Sequence, residues 1–284
     1  MRLSHNIASL NVYSAYSKAL QKQSTAMNRI STGYKVNNAK DDPNVIAQSE
    51  RMRMQIRGLQ MAGKNAQDGV SMLQTAEGGL DTMTSMAQRI RELVVQSGSG
   101  ANTPEDRKTI QNEIDQMIDG MDDIAKNTEF NGVKLLAEDK SLEMPIGANA
   151  GESVEIPQQN LTSEKLATAD GKTLKQMKSD YSLTNGDNVD DALDIVDNAL
   201  NTIVSIRSKY GALENRFESS LQDLNEISDR MDGADSNLRD ADIAAEMAEL
   251  AKNNILTEAG NAMMVQTNKF PQDVLSILQN VRSK

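Results

Sequence analysis

The sequence predicts a mainly α protein: a long, coiled-coil-like helical rod carrying a small β-hairpin, with terminal helices that pair on assembly. Three observations carry that expectation. Two stretches, 59–97 and 193–231, keep an apolar seam at alternating spacings of three and four. One pair of short alternating runs sits between them, near the middle of the chain. Both ends show apolar rows interrupted by Ser and Asn, too weak to form stable helices without partners.

The N-terminal row runs Leu3, Ile7, Leu10, Tyr13, Leu20, Met27, Ile30 and Tyr34. The next seam runs Leu59, Ala62, Ala66, Gly69, Leu73, Ala76, Leu80, Met83, Ala87, Ile90, Val94 and Ser97, and its many small residues allow close helix approach. Ser97–Asn102 reads as a turn between antiparallel helices, and Thr103-Pro104-Glu105-Asp106 as an N-cap, Pro at the first helical position and acids in the first turn. Ile110, Ile114, Met117, Met121 and Ile124 then keep heptad register.

Leu142–Ile146 and Glu152–Ile156, joined by Gly147-Ala148-Asn149-Ala150-Gly151, predict a β-hairpin over about 141–156. Residues 157–188, rich in Ser, Thr, Asn, Asp, Gly and Lys, read as a short variable surface loop with little core of its own. The long seam from Leu193 to Met231 follows. The C-terminal row includes Ile243, Met247, Leu250, Ile255, Ala259 and Met263, then Val274, Ile277, Leu278 and Val281 after an expected break at Phe270-Pro271.

Composition narrows the function. The 284 residues include no Cys, no Trp, one His, five Tyr and three Phe. Without Cys there is no disulfide framework, thiolate metal site or cysteine nucleophile. The single His5 cannot supply a buried triad and a two-His zinc site together or apart. The acidic groups Asp41-Asp42, Asp119 with Asp122-Asp123, Asp187 with Asp190-Asp191, and Asp240 with Asp242 lack calcium-loop spacing and read as caps and solvated faces. We therefore expect no enzyme, no cofactor and no metal.

The net charge of -11 argues against nucleic acid as a partner. Residues 1–40 nevertheless carry six basic side chains and no acid, so the negative charge sits in the body of the chain. No apolar run exceeds a few residues, Ala262–Val265 for example, so neither membrane insertion nor a cleaved signal peptide is expected. Polar groups spread along rods, with unpaired apolar rows at both ends, point to assembly rather than to a concave catalytic site.

Particular residues then carry a resemblance. At the N-terminal end these are Ser4-His5-Asn6-Ile7-Ala8-Ser9-Leu10-Asn11, Asn28-Arg29-Ile30-Ser31-Thr32-Gly33-Tyr34-Lys35-Val36-Asn37 and Ala39-Lys40-Asp41-Asp42. Further on stand Gln88-Arg89-Ile90-Arg91-Glu92-Leu93, Thr128-Glu129-Phe130-Asn131-Gly132-Val133-Lys134-Leu135-Leu136 and the hairpin turn Ile146–Gly151. Towards the C-terminus come Arg207–Phe217, Leu238-Arg239-Asp240-Ala241-Asp242-Ile243-Ala244, Gln266-Thr267-Asn268 and Pro271–Leu278. In order and coverage this pattern resembles bacterial flagellin, the subunit of the flagellar filament, in a short form without large outer domains. Thr32 and Pro43-Asn44-Val45 depart from the usual family residues.

The resemblance implies an inner terminal-helix domain of 1–40 plus 241–284 and an outer helical rod of 41–240. It implies a homopolymer whose core contacts are Leu3, Ile7, Leu10, Leu20, Met27, Ile30, Met263, Val274, Ile277, Leu278 and Val281. It further implies an extracellular location in the flagellum, reached unfolded through a type III export apparatus, with an export chaperone on the C-terminal helix. Hook-associated and cap proteins would flank the polymer. Arg89, Leu93 and Glu113 match residues through which an animal Toll-like receptor senses the family; ordinary packing and pairing on the rod is the competing role. The alternative within this architecture is a hook–filament junction protein.

Overall fold

The computed structural model describes residues 6–168, 171–179, 182–183 and 188–282 of the chain. Among these residues the main elements are helices α1 (Ile7–Thr32), α2 (Pro43–Ser97), α3 (Pro104–Asn127), α4 (Val189–Arg239) and α5 (Ile243–Arg282). Two antiparallel hairpins lie between α3 and α4: β1 (Glu129–Phe130) with β2 (Val133–Lys134), and β3 (Lys140–Pro145) with β4 (Ser153–Gln158). The chain forms two compact units, Met1–Met54 with Arg230–Lys284, and Gln55–Asp229.

In the Gln55–Asp229 unit the small-residue seam of α2 behaves as its spacing predicts. All twelve positions from Leu59 to Ser97 are buried. On α4 the buried apolar positions are Ala192, Ile195, Val196, Ala199, Ile203, Ile206, Tyr210, Phe217 and Leu224, a wider stripe at its start than a strict seam. Helix α3 begins at the predicted cap. The Thr103 hydroxyl accepts from Asp106 N at 3.2 Å, and the Asp106 carboxylate accepts from Thr103 N at 3.0 Å. Its buried face is Ile110, Gln111, Ile114, Ile118, Met121 and Ala125. The face follows the 3.6-residue helical period and leaves Met117 and Ile124 only partly buried.

The predicted hairpin forms with Leu142 opposite Ile156 and Met144 opposite Val154. These cross-strand apolar pairs share the face that joins the core. The smaller β1–β2 hairpin has no counterpart in the expectations above. Its turn is Asn131-Gly132, with φ of 50° and 81°, and that dipeptide between Phe130 and Val133 is itself the signal for a two-residue turn.

Tyr210 on α4 ties the helix to β4, its hydroxyl donating to Pro157 O at 2.9 Å. Burial pushes this phenol up to about 12. The folded unit favours the neutral form, so Tyr210 adds stability that is complete below the unfolded value of 10.0 and is lost as pH rises towards 12. A tyrosinate absorbance titration should show a phenol ionising near 12, absent after Tyr210→Phe; identical titrations would refute the assignment.

Residues 157–188 depart from the expected surface loop. Leu161, Leu166, Leu174, Met177 and Leu183 are buried within the core. Their spacings match neither helix nor strand, so no period reveals them. Specific polar contacts hold them in place. Ser163 N and Oγ donate to Asp122, at 2.6 and 2.9 Å. The buried Gln111 side chain donates to Met177 O and accepts from Leu183 N, both at 3.0 Å. The polar composition of the segment is thus partly the hardware that anchors it. Residues 169–170, 180–181 and 184–187 of the segment lie outside the described residues, Asp187 among them.

In the other unit α1 and α5 pack together, and a single bridge between Tyr34 and Asp240 closes one end. Lys35 N donates to Arg239 O at 2.7 Å and Ala241 N to Gly33 O at 2.8 Å. Helix α5 runs unbroken through Pro271, contrary to the break expected at Phe270-Pro271. Two of the acidic groups cap helices as expected: Asp42 accepts from Asn44 N and Val45 N, and Asp242 from Ala244 N; Asp122 departs, anchoring Ser163 instead.

Candidate assembly surface

Helices α1 and α5 are antiparallel, since Arg29 meets Glu246 (2.9 Å) while Asn6 reaches Thr267 O (2.9 Å). The faces they turn toward each other keep heptad spacing, but not through the apolar rows. On α1 the covered positions are Ser9, Val12, Tyr16, Ala19, Gln23, Ala26 and Ile30. On α5 they are Glu246, Leu250, Asn253, Thr257, Gly260, Met264, Thr267, Pro271 and Val274. Tyr16 lies across Gly260, where an added Cβ would sit 3.3 Å from the ring. Gln23 Nε2 donates to Asn254 Oδ1 at 2.5 Å, and Ser9 Oγ to Asn268 Oδ1 at 3.2 Å.

The seam therefore mixes small and polar residues with a few apolar ones: Ser9, Gln23, Asn253 and Thr257 sit in it beside Val12, Tyr16, Leu250 and Met264. Such a seam binds weakly. The fully buried residues of α1 are Ala19 and Ala26, and burying a methyl-sized group contributes only about 0.8 kcal/mol.

The apolar rows consequently face outward. Ile7 and Leu10 are 72 % and 70 % exposed, and Tyr13, Leu20 and Met27 are exposed on the same helix. On α5, Leu256, Met263, Phe270 and Ile277 are exposed at spacings of seven, which places them on one face. Ile30 and Val274 are half-buried in the seam. Leu3 lies outside the described residues, and Leu278 and Val281 sit on α5 with side chains outside the described set. Phe270 was missed as a surface residue because the expected helix break hid its heptad relation to Met263 and Ile277. A contiguous outward apolar row of this kind marks an interaction surface.

The end of the same unit carries a compact charged joint. The guanidinium groups of Arg239 and Arg53 both lie over the Tyr34 ring, at 4.8 and 5.7 Å from its centroid. Arg53 Nε donates to Asp235 at 3.0 Å. Burial pushes the Asp235 carboxyl up, but hydrogen bonds from Ser49 and Arg53 outweigh it and hold it below the ordinary carboxylate range.

In the Gln55–Asp229 unit, Arg89 is exposed and bridges Glu92 (3.1 Å) and Glu113 (3.0 Å). Leu93, grouped with them in the sequence, is 1 % exposed and belongs to the core. Its period places it one residue before Val94 on the same inward stripe. Among the described residues no group of three or more acidic or His side chains is arranged to hold a metal ion, and no helix is long and apolar enough to cross a membrane.

Comparison with known proteins agrees with this architecture. The bacterial flagellin N-terminal helical region matches residues 3–141, and the bacterial flagellin C-terminal helical region matches residues 193–278. Flagellin of Bacillus subtilis is 40 % identical, over 98 % of this chain and all of the relative. Flagellin of Halalkalibacterium halodurans is 36 % identical, and a flagellar filament core protein of Treponema maltophilum 34 %, with the same coverage. Among solved structures, the putative flagellar hook-associated protein from Vibrio parahaemolyticus aligns with a TM-score of 0.60 at 14 % identity. It covers 70 % of this chain and all of that one. FlgL of Bacillus cereus aligns at 0.51 with 18 % identity, over 66 % and 99 %. At those identities the two structures speak for the fold alone. The two helical regions and the full-length relatives go further, and on them the chain belongs to the bacterial flagellin family.

Proposed function

We infer that the chain is a structural subunit that self-assembles into the flagellar filament. The observation that carries this reading is the pair of outward apolar rows on α1 and α5, left uncovered because the intrachain seam uses other faces of the two helices. Copies of the same chain are the natural cover, because every copy brings the same two rows. The core contacts would be Leu3, Ile7, Leu10, Leu20, Met27, Ile30, Met263, Val274, Ile277, Leu278 and Val281. On this reading 1–40 and 241–284 lie inside the polymer and 41–240 outside, and the role is structural rather than catalytic.

Family membership supports the rest of the proposal. The chain would leave the cell without a cleaved signal peptide, by type III export, after an export chaperone holds its C-terminal helix. Cap and hook-associated proteins would meet the polymer ends. Receptor recognition, if it occurs in an animal host, would use Arg89 and Glu113, whose side chains are exposed; Leu93 would act by packing beneath them. The hook–filament junction reading draws on fold likeness alone, whereas full-length flagellin relatives favour the filament.

Electron microscopy of the purified chain after seeding tests this. The expected result is long filaments that extend with added subunit. Growth that stops after a short collar would favour the junction protein, and no polymer at all would refute both.

A further inference from the structure

Pro271 creates a specific problem inside α5. A helical residue at this position would donate its N–H to the carbonyl of Thr267, but proline has no N–H, and its ring crowds that same carbonyl. The structure shows where the missing donor comes from. Asn6 Nδ2 donates to Thr267 O at 2.9 Å, across the helix pair and from the opposite end of the chain. The same side chain uses its other atom locally: Asn6 Oδ1 accepts from Ser9 N at 3.1 Å and caps α1.

We propose that Asn6 is a positioning residue that makes helical continuation of α5 beyond Pro271 conditional on docking of the first turn of α1. The chemistry restricts the residue. Ser, Asp and Thr serve as helix N-caps about as well as Asn, but a carboxylate has no donor and a hydroxyl is too short to reach a second helix while capping the first. Among these caps only the carboxamide carries its acceptor and its donor on separate atoms, so one side chain can cap α1 and still reach α5. Ser9 reinforces the same junction, its hydroxyl donating to Asn268 Oδ1.

The consequence is coupling between the two chain ends. When α1 is undocked, the Thr267 carbonyl loses the Asn6 donor and the helix is weakest at Pro271. The segment beyond it, Gln272–Arg282, is shorter than an isolated helix needs to be stable in water. It carries Val274, Leu275 and Ile277. A chain whose N-terminal turn is displaced thus presents a frayed C-terminal row, and docking α1 orders both ends together.

The test is a double-mutant cycle on the full chain: the native protein, Asn6→Ser, Pro271→Ala, and both together. Amide hydrogen exchange is read for 272–282 in whichever state, free or polymeric, protects the amides of α1, so the outcome does not depend on filament formation. Ser keeps the cap, and Ala restores the N–H at 271. Asn6→Ser is expected to speed exchange in 272–282 roughly five- to tenfold, the effect of stranding one carbonyl, with α1 protection kept. In the Pro271→Ala background the same substitution is expected to change nothing. An equal effect in both backgrounds, or none in either, overturns the proposal.

Discussion

Replacing Leu10 and Leu20 together by Glu is expected to abolish polymerisation while leaving the unfolding of Gln55–Asp229 unchanged. Both leucines are exposed on α1, so the free chain buries little of either and loses little when they change. Glu is a good helix former, so α1 keeps its propensity. In the polymer the balance reverses. Each leucine covered by a neighbouring copy would contribute about 1.5–3 kcal/mol, and each glutamate in its place would have to lose its water without a partner. Sedimentation and electron microscopy read the assembly, and circular dichroism reads the fold. Normal filaments from this variant at the native concentration would contradict the assignment of the α1 row to subunit contacts.

The largest effect on folding is expected at Phe217. It is fully buried on α4 in the core that includes Met144, Leu142 and Tyr210. With only three Phe and no Trp in the chain, few other side chains can fill that volume. Phe217→Ala removes the ring and leaves a cavity, which should destabilise the unit by about 3–5 kcal/mol. That is a large fraction of the about 5–15 kcal/mol typical of a domain. A urea titration should show a clearly lower midpoint with an unchanged slope. A loss below about 1 kcal/mol would mean the core around Phe217 collapses to fill the space, and that α4 is held mainly elsewhere.

The two predictions probe the two kinds of patterning in this chain, and they differ in how visible they were. The α2 seam, the Thr103 cap and the β3–β4 hairpin were legible because each is a local rule: a spacing, a capping box, an alternation. The flagellin resemblance was legible for the same reason, resting on short runs such as Gln88–Leu93 and Thr128–Leu136. The α1–α5 seam was not. Ser9 and Asn253 read as interruptions of apolar rows, because apolar residues are ordinarily assumed to mark the buried side. Here the intrachain contact mixes small, polar and apolar side chains, and the longer apolar rows are outward.

Two other misreadings share a cause: a local signal overruled by a distant partner. Pro271 normally ends a helix, and Asn6, at the far end of the sequence, supplies the missing donor. The leucines from Leu161 to Leu183 have no period because Asp122 and Gln111 on α3, not a regular backbone, set their positions. Leu93 differs: its position on α2 places it in the core, consistent with the packing role weighed beside the receptor motif. Only the exposed members of that motif, Arg89 and Glu113, remain available at the surface.

The central claim is that the outward rows of α1 and α5 become buried between copies of the chain. Oxidative footprinting tests it most directly, because methionines report from both rows and from the core. Met27, Met247 and Met263 are exposed, whereas Met83, Met121 and Met177 are buried in the Gln55–Asp229 unit. In the free chain the first three should oxidise readily and the second three slowly. In the polymer Met27 and Met263 should become protected, with the core methionines unchanged. Equal oxidation of Met27 and Met263 in free chain and polymer would mean that the contacts between copies lie elsewhere.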